Sequence, residues 1–95
     1  MSFFVYIIHS TSIDRFYVGH TEFLSERLSQ HNQGFYKGAF TQLADDWTLF
    51  YSIECESKKQ AIYIERHIKK MHSRKYYYSL KKYPDLSFKL LARYK

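Results

Sequence analysis

The chain has 95 residues, 45% of them hydrophobic and 20% aromatic, which suffices for one compact core but not two, because smaller units bury too little surface. A single cysteine, Cys55, excludes an internal disulfide framework, and the apolar start at residues 3–8 is too short to span a bilayer and lacks the basic region of a signal peptide, so a cytoplasmic protein off the membrane is expected. The formal charge of +6 is unevenly spread: residues 1–57 carry three Lys/Arg against seven Asp/Glu, residues 58–95 twelve against two, and a field of that kind attracts polyanions to the C-terminal part.

Phe3 to His9 is apolar on both faces, which predicts a central strand covered on both sides. Ser10 to Arg15 is polar and turn-like, and Arg15 to Gly19 makes a short second strand. A connection of that length predicts an antiparallel hairpin with Tyr6 and Tyr17 on neighbouring strands. Thr21 is the expected N-cap of a first helix running to about Asn32, where Asn32-Gln33-Gly34 signals its stop. Residues 34–46, with Gly34, Gly38 and Asp45-Asp46, read as a loop able to cover a site. Trp47 to Cys55, rich in aromatic and β-branched residues, is the third strand. Ser57-Lys58-Lys59-Gln60 is a capping box that opens a long helix with the apolar stripe Ala61, Ile64, Ile68 and Met71 and with Glu65 on its edge. Ser73 is placed to cap a further helix carrying Tyr76, Tyr77, Leu80 and Tyr83 on one side and ended by Pro84. The tail from Leu86 to Tyr94 is amphipathic without a clear assignment.

The first helix carries the informative pattern. At about 100° per residue, Arg27 and His31 share the apolar side with Phe23, Leu24 and Leu28, while Glu22, Ser25, Glu26, Ser29 and Gln30 fall opposite. A guanidinium rarely turns inward unless it is paired, so Arg27 and His31 either face a cleft or belong to a structural pair. Two strand tyrosines, this Arg/His face and one semi-buried Glu bring together a phenol, a phosphate clamp, a proton carrier and a metal ligand, the parts of phosphodiester hydrolysis. Arg offers a planar fork for two phosphate oxygens, and a hard ion such as Mg²⁺ can be held by one carboxylate plus waters and substrate phosphate. A free phenol ionises only near pH ~10, so one that starts the attack needs nearby cationic charge or a base. Among the basic residues, His20, Lys69, Lys70, Arg74 and Lys75 are the expected contacts to a nucleic-acid backbone. His67 and His72 have neither the spacing nor the companions of a zinc set.

In order and spacing, Val5-Tyr6-Ile7, Tyr17-Val18-Gly19, the helix from Leu24 to Asn32 with Arg27 four residues before His31, and Ala61 to Lys69 around Ile64-Glu65-Arg66 resemble the motifs of the GIY-YIG nuclease superfamily. The resemblance covers roughly residues 3–82 and is strongest to its small stand-alone bacterial proteins, described as excinuclease C-like or YhbQ-like. Val5 stands where the first motif has glycine and Val18 where the second has isoleucine, and the lysine that some relatives place near the second motif is not evident. The resemblance implies an α+β fold, a three-stranded antiparallel sheet flanked by helices, with the site on one face of the sheet and one such domain over residues 1–95. It further implies a metal-dependent endonuclease acting on DNA, with Tyr6 and Tyr17 lining the site, Arg27 binding the scissile phosphate, and His31 assisting proton transfer or orienting a tyrosine. Glu65 would coordinate Mg²⁺ or Mn²⁺. The DNA would be nicked, branched or single-stranded, in repair or processing, with a protein partner as another source of specificity; the sequence does not set an oligomeric state. The alternatives are a non-catalytic nucleic-acid-binding module of the same fold and a domain whose basic half binds an acidic protein.

Overall fold

The computed structural model describes residues 2–34 and 40–95. Three strands, β1 (Phe3–Ser10), β2 (Arg15–Thr21) and β3 (Trp47–Cys55), form an antiparallel sheet in the order β2-β1-β3. The helices are α1 (Leu24–Asn32), α2 (Lys58–Met71), α3 (Arg74–Lys82) and α4 (Pro84–Arg93), and a 3-10 turn spans Phe40–Leu43. This is the expected α+β architecture.

β1 lies in the centre because both of its faces are apolar. Val5 and Ile7 pack with Val18, Ile53, Ile64, Ile68 and Leu80 on the side covered by α2, α3 and α4. Tyr6 and Ile8 pack with Trp47, Leu24 and Leu28 on the side covered by α1. Val5, set by the resemblance where the first motif has glycine, fills the α2 side of the core and does not crowd the Tyr6 side of the strand. Cys55 is buried, and burial pushes its thiol up to about 11, which suits an inert packing role.

Local chemistry departs from expectation at several ends. Thr21 closes β2 instead of capping α1: its hydroxyl accepts from the Phe23 N–H at 3.0 Å, and Phe23 is the N-cap without a side-chain bond. Ser57 does cap α2, accepting from the Gln60 N–H at 3.1 Å. The Gln60 carboxamide, however, accepts from the Glu56 N–H at 2.7 Å and donates to the Leu91 carbonyl at 2.9 Å, so half of the expected box serves to hold α4. Met71 is 47% exposed because α2 ends there, His72 turning into the left-handed region at φ 49°. Ser73 caps α3 through the Tyr76 N–H, and Tyr77 and Leu80 turn inward while Tyr83 stays exposed. Pro84 both stops α3 and opens α4, where its missing N–H costs nothing. Part of the expected 34–46 loop, residues 35–39 with Gly38, lies outside the described residues. Among the described residues no helix is long and apolar enough to cross a membrane.

Asn32 fixes the end of α1 to the start of β3. Its Oδ1 accepts from the Trp47 N–H at 2.7 Å and its Nδ2 donates to the Trp47 carbonyl at 2.9 Å, so the side chain imitates a neighbouring strand. Asn32→Ala is expected to lower stability by about 1–3 kcal/mol, because both backbone groups lose a partner in a part-buried position. Urea unfolding should show a reduced midpoint with an unchanged slope.

Candidate active site around the edge of the sheet

The antiparallel register sets Tyr6 opposite Gly19. The phenol of Tyr6 crosses the space a side chain would fill there: a Cβ on Gly19 would sit 2.5 Å from its Oη and 2.7 Å from its Cζ. The glycine of Tyr17-Val18-Gly19 is thus required by the ring above it. Tyr6 is only 2% exposed, and its hydroxyl is 2.8 Å from His31 Nε2. His31 Nδ1 is in turn 2.7 Å from the Thr41 hydroxyl, and Trp47 Nε1 donates to the Thr41 carbonyl at 2.8 Å. Burial, with the charge of Arg27 adding to it, pushes His31 down to about 4, so a neutral imidazole links Tyr6 and Thr41 at pH 7. Tyr17 completes this cluster, its ring centroid 5.2 Å from His31 and 6.5 Å from Tyr6. Half-buried, Tyr17 is the phenol with the better access to solvent.

Alternation along β2 turns His20 to the same side as Val18, toward α2, and away from Tyr17. There its Nδ1 meets Glu65 Oε1 at 2.5 Å, while Glu65 Oε2 is 2.9 Å from Lys69 Nζ one turn further along α2. Lys69 Nζ also lies 5.5 Å from the centroid of the Tyr17 ring. The two halves therefore meet around the free edge of β2. A site on one face of the sheet, implied by the resemblance, is corrected here: the phenols belong to the α1 face and the carboxylate to the α2 face, because β2 is an outer strand whose alternate residues serve both. Arg27, half-buried, lines a hollow of about 180 Å³ with His20, Thr21 and Lys58, and His20, which pairs with Glu65, is the residue common to the hollow and the carboxylate.

Tyr6, Tyr17, Arg27, His31, Glu65, His20 and Lys69 are thus brought together. Three of the expected backbone contacts are not. Lys70 lines a groove between α2 and α4, and Lys75 is exposed on α3. Arg74 Nη1 is 3.0 Å from both carboxylate oxygens of Asp14, Nη2 bonds the Asp14 carbonyl, and the guanidinium covers the Phe16 ring. It clasps the β1–β2 turn. Thr41 escaped the sequence reading because its short turn has no periodicity; Lys69 had a signal, the (i, i+4) spacing from Glu65, but nothing that placed it against Tyr17.

Glu65 also suits an oxygen-seeking divalent ion. A carboxylate has about four lone-pair positions, of which His20 and Lys69 occupy two. Among the described residues no group of three or more His, Cys, Asp or Glu converges; an ion at Glu65 would be held by that one carboxylate together with waters and a substrate phosphate.

Against known families, residues 2–78 match the model of the GIY-YIG catalytic domain. No curated protein and no solved structure matches the chain. The family match spans most of the sequence, and the chain belongs to the GIY-YIG nuclease superfamily.

The lowered proton affinity of His31 has a definite sign. Between its ordinary value of 6.5 and about 4, the unfolded chain binds a proton there and the folded chain does not, so stability falls as pH drops through that window. The loss should reach about 3 kcal/mol at pH 4. Asp14, held down by hydrogen bonds from His9 and Arg74, and Asp46, held down by Ser10 and Ser12, titrate below 3.8 and outside the window, whereas His67, held below 6.5 by burial and the charges of Arg93 and Lys70, adds a loss of the same sign that persists without His31. Urea unfolding at pH 7 and pH 4.5 should show the loss in the native chain and a clearly smaller one in His31→Gln.

Proposed function

We propose that the chain is a divalent-metal-dependent endonuclease that hydrolyses phosphodiester bonds in DNA. The observation that carries this reading is Lys69, which pairs with the Glu65 carboxylate and lies over the Tyr17 ring, joining a metal-ligand carboxylate to a phenol beside the hollow that Arg27 lines. Arg27 would hold two non-bridging oxygens of the scissile phosphate and neutralise the charge that grows on them. Tyr17 would orient the attacking water for in-line displacement, in which a new P–O bond forms as the bond to the leaving sugar oxygen breaks, the proton lost by the water passing to solvent and the leaving oxygen taking one from solvent. Tyr6, sealed against Gly19, would hold neutral His31 and through it the inward side of α1 that presents Arg27. When bound at Glu65, Mg²⁺ or Mn²⁺ would supply stabilisation of the leaving oxygen. Lys69 and His20 would then orient the carboxylate and meet the phosphate.

Cleavage of nicked, branched and single-stranded DNA with Mg²⁺ or Mn²⁺ tests this. Arg27→Ala and Glu65→Ala should each lower the rate about 10²-fold or more, Tyr17→Phe should lower it at least ~10-fold, and EDTA should stop it. All three variants should keep salt-dependent DNA binding. An undiminished rate in Glu65→Ala would refute the catalytic assignment, and binding without cleavage by the native chain on every substrate would leave a nucleic-acid-binding module.

A further inference from the structure

We infer that an unpaired strand of nucleic acid leaving the catalytic hollow wraps the outer side of α2 and is held in a tyrosine-lined groove between α2 and α4. This rests on the endonuclease reading and deepens it by naming the part of the substrate that the protein grips.

Three hollows follow one another around α2. The one lined by Arg27 and His20 ends at Lys58. A second begins at Lys58, crosses Lys59 and Ile62, and ends at Tyr63 and Arg66. A third, of about 450 Å³, begins at those two residues and runs to Arg93 and Tyr94 of the α4 end. Consecutive hollows adjoin, the first and second at Lys58 and the second and third at Tyr63 and Arg66, and so mark a path from the catalytic edge of β2 to the far flank of α2. Cations recur along it, whereas its one lining carboxylate among the described residues, Glu22, lies at the catalytic end. The far groove combines those cations with aromatic faces. Tyr63 is 40% exposed and lies 6.1 Å from Tyr94 with the rings nearly parallel at 12°. Arg66 and Lys59 sit 5.7 and 6.0 Å from the Tyr63 centroid, Arg93 5.4 Å from that of Tyr94. His67 Nδ1 holds the Tyr94 hydroxyl at 2.9 Å. Burial and the charges of Arg93 and Lys70 hold His67 below the ordinary histidine range, which keeps that link neutral within a positive field.

Aromatic rings that pair with each other and carry guanidinium and ammonium groups over their faces, with Tyr63 exposed, offer bases an edge for stacking together with cation–π and phosphate contacts, tolerant of sequence because every base has a π-face. Curvature selects the strand type. A helix with its side chains is about 10–12 Å across, and a duplex with a persistence length of about 50 nm cannot bend around it. A single strand can. An acidic polypeptide would satisfy the charges but gain little from the tyrosine faces.

The test compares fluorescence-anisotropy binding, in EDTA so that nothing is cut, of a blunt duplex, the same duplex with a ten-nucleotide unpaired tail, and a polyglutamate chain. The native chain should bind the tailed duplex at least ~10-fold more tightly than the blunt one. Tyr63→Ala/Arg66→Ala, both exposed positions, should lose that advantage, change blunt-duplex affinity less than about twofold and keep a native circular dichroism spectrum. Equal affinity for tailed and blunt duplexes, an advantage that survives the double substitution, or equally tight binding of polyglutamate would overturn the inference. The catalytic reading fails separately: a tail-dependent native chain that cuts nothing with Mg²⁺ or Mn²⁺ refutes cleavage alone, and cutting without tail dependence refutes only the track.

Discussion

Tyr6 can lie flat across its neighbouring strand only because Gly19 has no side chain, and the inner half of the site depends on that contact. With its ring lodged there, Tyr6 presents its hydroxyl to His31, and His31 reaches Thr41, so one strand, one helix and one short turn are tied by two hydrogen bonds in a region closed to water. Because the imidazole is neutral, the arrangement carries no buried charge that would need a counterion. Arg27, one turn before His31 on α1, inherits its position from this anchorage.

The outer half depends on β2 being an edge strand. A central strand such as β1 is sealed on both faces, and Tyr6 on it is correspondingly inaccessible. On the edge, residues that point to opposite faces stay reachable from one side, so Tyr17 and His20 contribute to the same region from different layers of the molecule. The part-buried Glu65 carboxylate would be costly alone. His20 and Lys69 offset its desolvation with two charge-assisted contacts and leave lone pairs over.

The sheet and the helices were legible because the signals were local: a strand apolar on both faces, serines at 57 and 73 with their helices directly after them, a glycine and an asparagine at a helix end. Thr21 misled because a threonine two residues before the N-cap can accept with its hydroxyl from the backbone N–H two positions on and look like a cap from sequence alone. Arg27 and His31 stood out because a helix of fixed pitch sorts its residues by angle, Tyr6 and Tyr17 because a short hairpin sets them on neighbouring strands, and Glu65 because it sits on the edge of an apolar stripe; the family motifs joined them into one site. What sequence could not convey was which layer each residue joins, since alternation along β2 separates Tyr17 from His20 without saying which side α2 covers. Arg74 shows the same gap: composition counts its charge, but its carboxylate partner lies sixty positions away at a hairpin turn.

The family match ends at residue 78, yet α4 lies wholly beyond it. Leu90 is sunk into the same cluster as Ile64 and Leu80, Tyr51 shares a hydrogen bond with Ser87, and the Gln60 carboxamide donates to the carbonyl of Leu91. The stretch recognisable by descent is thus smaller than the unit that folds, and a fragment cut at the last matching position would open an apolar wall and strand polar groups on α2 and β3. In this chain the last helix behaves as a keystone: it contributes nothing to the reacting atoms, and the scaffold that aims them is incomplete without it.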